Sequence, residues 1–112
     1  MAQTTFSGPV RSLNGFVAGA GSATINKVLA ATAALDFPSI AANGAADLTI
    51  TVTGAAVGDY VTLALPAAPT AGLMFMGFVS AANTVTVRAR NLTASPVDAA
   101  SATYGALVFG AA

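Results

Sequence analysis

The side chains able to do chemistry in this chain are few. Four aspartates (Asp36, Asp47, Asp59, Asp98), one lysine (Lys27), three arginines (Arg11, Arg88, Arg90) and two tyrosines (Tyr60, Tyr104) make up the titratable set, while histidine, cysteine, glutamate and tryptophan are missing. Ser-His-Asp and Cys-His nucleophilic systems cannot be assembled from it, nor can zinc sites built on His or Cys. A pair of aspartates can run glycoside hydrolysis. Here, however, Asp47 precedes a strand-like run, Asp59 follows Gly58, and Asp98 lies two residues after Pro96. At such places aspartate serves as a turn former or cap by bonding nearby backbone. No D-x-D-x-D spacing suggests calcium. Gly19-Ala20-Gly21 would need a third glycine at position 24 to read as a dinucleotide loop, and Thr24 stands there. Asn91-Leu92-Thr93 matches the glycosylation acceptor pattern, a chance match in a chain without a secretory signal. The expectation is a protein that is no enzyme and needs no cofactor or metal.

Two groups point instead to contacts. Arg88 and Arg90 sit at i and i+2 of a strand-like run, so they share a face with Thr84 and Thr86. That arrangement suits a solvated face that blunts edge pairing. It also suits contact with an acidic patch on a partner, though the solvated face is the first reading. Met74, Phe75, Met76 and Phe78 form the densest apolar cluster. Alternate members of a strand face opposite ways, so one core takes only one set. The other set needs the arm, a loop or another subunit.

The elements that would position these groups are strands. Leu48, Ile50 and Val52 alternate with threonines, and Val61, Leu63 and Leu65 with Tyr60, Thr62 and Ala64. Val85, Val87 and Ala89 alternate with Thr84, Thr86, Arg88 and Arg90; Tyr104, Ala106 and Val108 alternate with Thr103, Gly105, Leu107 and Phe109. Residues 73–79 are apolar on both faces, as in a strand covered on both sides. Turn signals at Asn43-Gly44, Gly54, Gly58-Asp59, Pro66 to Gly72, Asn83 and Ser95-Pro96 separate the runs. This predicts an all-β fold, a small β-sandwich or jelly-roll-like barrel over residues 31–112. Residues 1–30 read as an extended N-terminal arm, in which Phe6, Val10, Leu13 and Phe16 are anchors and Gly8, Pro9 and Gly15 break any helix. Within 22–34, either a short helix capped by Ser22 or Thr24 forms, or the arm runs straight into a first strand near Thr32 to Pro38.

Composition bounds the rest. Of 112 residues, 55% are apolar and 7% charged, with zero net charge; an average globular domain carries roughly 25% charged residues. So little charge is easier to understand if partners cover much of the surface. No basic stripe exists to neutralise phosphates, so nucleic acid is not an expected partner. The longest apolar run, Ala71 to Val79, falls short of the ~20 residues of a spanning helix, and eight aromatics cannot supply the girdles of a membrane barrel. No secretory signal is visible at the amino terminus. The expectation is a soluble chain made in the cytoplasm, with no membrane partner.

The opening TTFSGPVRSLNGF (Thr4 to Phe16) resembles the amino-terminal segment of small virion proteins of tailed bacteriophages. LDFPSIAANGAADLTITVTGAAVGDYVTLALP (Leu35 to Pro66) and GFVSAANTVTVRARNLTASPVD (Gly77 to Asp98) resemble the β-domain of phage head decoration, or cement, proteins and of some head-fibre proteins. The resemblance implies a β-domain that binds the outer capsid lattice of a virion, with the major capsid protein and copies of itself, as a homodimer or homotrimer, for partners. Expected contact residues are Phe6, Val10, Arg11, Leu13, Phe16, Met74, Met76, Arg88 and Arg90. The rivals are another phage component (tail, baseplate or head fibre) and a carbohydrate-binding β-sandwich. The second lacks the tryptophans of a sugar platform and has only Tyr60 and Tyr104 to offer.

Overall fold

A computed structural model of the chain describes residues 3–111. Seven strands run in the order β1 (Phe16–Val17), β2 (Thr24–Leu35), β3 (Ala45–Thr51), β4 (Tyr60–Ala64), β5 (Leu73–Ala81), β6 (Thr84–Asn91) and β7 (Ala102–Ala111), and no helix occurs among the described residues. They form two sheets, β1-β2-β7-β4 and β3-β6-β5, with every pairing antiparallel. The sheets pack face to face as a small β-sandwich, as the alternating pattern predicts.

The inner faces carry the residues of period two. Ile50, Val52, Val85, Val87 and Val108 are almost wholly buried. Phe37, Phe75 and Tyr104 stack among them with ring centroids 5.5–5.9 Å apart in tilted and edge-on arrangements, the geometry aromatic quadrupoles favour. Phe37 lies outside any strand, on the crossing from β2 to β3, and is only 1% exposed. The connection is thereby tied into the core.

The helical option for 22–34 is corrected: Thr24–Leu35 is one long strand. Alanine-rich sequence favours helix only weakly, and tertiary pairing overrides such preferences. Leu29, Ala31, Ala33 and Leu35 face the core, while Val28, Ala30, Thr32 and Ala34 face outward. Ten register pairs with β7 hold the strand, with one irregularity between Ile25 and Lys27. Regular structure therefore begins well before residue 31, where sequence reading placed the domain boundary. Among the described residues upstream, 3–15 contain no strand or helix.

Gly15 fixes where that upstream segment leaves the sheet. Its φ of +85° and the close approach of the Ile25 carbonyl oxygen leave no room for a Cβ. The Ser12 hydroxyl donates to the Gly15 carbonyl, closing a turn at Leu13–Asn14. The β1–β2 ladder stops after two pairs, and the chain departs from it. The radius of gyration is 17.5 Å and the longest dimension 57 Å; a compact domain of this length has a radius of about 13 Å.

Candidate functional site

Cross-strand register assembles four of the sequence-selected residues on one face. Met74 pairs with Arg90 and Met76 with Arg88 across β5 and β6, while Ala45 and Asp47 of β3 oppose Arg90 and Arg88 from the other side. All lie on the outer face of the β3-β6-β5 sheet, because Leu73, Phe75 and Val79 take the inner one. Met74 and Met76 are more than half exposed, so the second apolar set of this strand is not buried within the chain. Between Asp47, Met74, Met76, Arg88 and Arg90 runs a groove of about 580 Å³.

The two arginines on this face differ. Arg88 donates from Nε to Asp47 Oδ1 at 2.8 Å and from Nη2 to Oδ2 at 2.9 Å, the bidentate fork that matches a carboxylate. Its Cζ also lies 5.3 Å from the ring centroid of Phe78. Asp47 is thus a cross-strand ion-pair partner inside β3 and not the turn former expected from sequence. The Arg88 hydrogen bond holds the Asp47 carboxyl below its ordinary value, and the same contact pushes the Arg88 guanidinium up. Arg90 is exposed and makes no hydrogen bond or ion pair among the described residues.

Asp59 does sit in a turn. Its Oδ2 accepts the Ala56 N–H at 3.0 Å and the Lys27 ammonium at 2.8 Å, while Lys27 also reaches the Gly54 carbonyl. The Lys27 contact, helped by the Ala56 N–H, lowers the carboxyl below its ordinary value. Two ion pairs, Arg88–Asp47 and Lys27–Asp59, therefore leave Arg11, Arg90, Asp36 and Asp98 without an ionic partner among the described residues. All four are exposed. No group of three or more acidic, His or Cys side chains that would hold a metal ion occurs among the described residues.

The other sequence-selected residues lie apart from this face. Phe6, Val10 and Leu13 are 68%, 64% and 79% exposed, and Phe16, in β1, is 59% exposed. Arg11 is exposed among them. Val10, Arg11, Ser12, Gly15 and Phe16 border a depression with Asn26 and Val28 of β2.

Sequence reading missed the best-connected polar residue. Asn91 is fully buried. Its Nδ2 donates to the carbonyls of Ile40, Ala41 and Ser95, and its Oδ1 accepts from the N–H and hydroxyl of Thr93. It locks the loop after β6 to the crossing between β2 and β3, and it is out of reach for glycosylation. The Thr93 and Ser95 residues after Asn91 were the available signal, since such residues bond local backbone.

No family model, curated protein or solved structure matches the chain. No helix is long and apolar enough to cross a membrane.

Proposed function

We propose that this chain is a structural virion protein that decorates a tailed-bacteriophage head by binding the outer capsid lattice. The observation that carries the reading is the exposed row Phe6, Val10 and Leu13 on a segment with no secondary structure of its own, continued by exposed Phe16 in β1. Large apolar side chains left in water favour burial by roughly 1.5–3 kcal/mol each. Ordering such a segment from a mobile state costs about 1–2 kcal/mol per residue in backbone entropy. Over residues 3–15 that cost exceeds what the four anchors return, so the arm alone does not hold the chain. Added contacts from the sandwich, and several linked copies acting together, make attachment firm. A repeating lattice supplies such multiplicity. The resemblance of the arm to small virion proteins of tailed phages, and of the β-domain to cement proteins, points to the capsid as that lattice.

A carbohydrate-binding module is less well supported. Tyr104 is 2% exposed in the core, which leaves Tyr60 as the exposed tyrosine. One exposed tyrosine without any tryptophan is a poor sugar platform. The test is co-sedimentation of the purified chain with capsids that lack it. Saturable binding at a fixed ratio to capsomers is expected; a chain that stays in the supernatant at all concentrations overturns the proposal.

A further inference from the structure

We propose that the groove on the outer face of the β3-β6-β5 sheet receives the loop between β6 and β7 of a second copy, with Arg90 of one copy meeting Asp98 of the other. This rests on the structural reading above and names the partner of that face. Charge complementarity is the first argument. Eight charged side chains resolve into two internal ion pairs and a remainder of two cations and two anions, all exposed. A second copy of the same chain carries the complement of that remainder. In a closed two-fold contact each copy supplies both halves, so Arg90 and Asp98 meet twice.

The shapes of groove and loop supply the second argument. Arg90 stands at one end of the register ladder, opposite Met74 and Ala45. The groove is therefore cationic at Arg90 and flanked by flexible thioether side chains that fit varied apolar surfaces. The segment from Leu92 to Asp98 offers the matching sequence: Leu92 is 54% exposed, Pro96 is exposed, and Asp98 closes the run. This loop is built in advance. Asn91 and Thr93 bond along it, and Ile40 and Val97 exchange backbone hydrogen bonds of 2.8 and 3.0 Å. A loop already held in shape loses little freedom on binding. Asp36 is the other free acid, but its neighbours Leu35 and Phe37 are both buried in the core, which holds it close to the body.

The experiment is sedimentation equilibrium of the full chain, without capsids, for wild type, Arg90→Asp, Asp98→Arg, the double swap and Asp36→Arg. Wild type is expected to self-associate, with weaker association at high salt because exposed charges are screened. Each reversal at 90 or 98 is expected to weaken association at least about tenfold, and the double swap to restore it to within about threefold, since like charges facing each other repel and swapped ones attract. Asp36→Arg is expected to associate as wild type does. Circular dichroism on every variant separates lost association from lost fold. A monomeric wild type, single reversals without effect, a double swap that fails to recover, or an effect at Asp36 in place of Asp98 each overturns the proposal. Capsid co-sedimentation reads the decoration reading separately, so either can fail while the other stands.

Discussion

Truncating Asn91 to alanine tests whether the hydrogen-bond hub at the end of β6 holds the sandwich ends together. The side chain donates to three carbonyls and accepts twice from Thr93. Each carbonyl has a second donor: Val97 N–H on Ile40, Gly44 N–H on Ala41, and the Thr93 hydroxyl on Ser95. Truncation therefore leaves none of them bare, but it orphans the Thr93 N–H and deletes the two amide donors. At about 1 kcal/mol of net stability per hydrogen bond, the loss is about 3 kcal/mol. With roughly 4 °C per kcal/mol for a chain of this size, Tm falls by about 12 °C. Urea and thermal unfolding followed by far-UV circular dichroism measure both. Asn91→Asp adds a pH signature. A carboxylate there faces three carbonyl oxygens, which raises its pKa above that of the unfolded chain. A raised group contributes its stability below the unfolded pKa and loses it as pH rises, so the deficit against wild type is larger at pH 7 than at pH 4. An alanine variant within about 0.5 kcal/mol of wild type, the size of an ordinary surface change, would refute the reasoning. So would an aspartate deficit that is the same at both pH values.

Three further outcomes follow from the same structure. Gly77→Ala places a Cβ 2.8 Å from Leu63 Cδ2, 3.0 Å from its Cγ and 3.1 Å from Val61 Cγ1, where β5 passes β4; unfolding in urea should show a loss of about 1–3 kcal/mol. With no histidine, stability should be flat from about pH 5 to 9. Below that, Asp47 and Asp59, whose pKa values are lowered in the fold, lose their contribution as pH falls through the folded values, and above the ordinary tyrosine range of about 10 the burial that raises Tyr104 works against the fold; a Tm titration across this span checks both limbs. Deleting residues 1–20 removes only the two ladder pairs of β1, so circular dichroism should show a folded sandwich, while co-sedimentation with undecorated capsids should show most binding lost.

The strand pattern was legible because the sheet faces differ so plainly. Leu48, Ile50 and Val52 against their threonines leave one choice of inner face, and the same holds for Val85, Val87 and Ala89. The strand at 24–35 was less so, since alanine carries little directional signal and only pairing with β7 decides its conformation. Of the expected contact residues, Met74, Met76, Arg88 and Arg90 could be grouped from spacing within their own strands. That Asp47 meets Arg88 could not, because register between strands far apart in sequence is set by the completed fold. Asn91 was opaque for the same reason: two of its five bonds, to the carbonyls of Ile40 and Ala41, depend on the loops after β2 and β6 coming together.

Cryo-electron microscopy of virions that carry this chain tests the central claim most directly. The account predicts density fitting the seven-stranded sandwich at repeated sites on the outer surface of the head, with residues 3–15 lying against the capsid lattice. Heads without such density, or the sandwich found in the tail or baseplate, would contradict it.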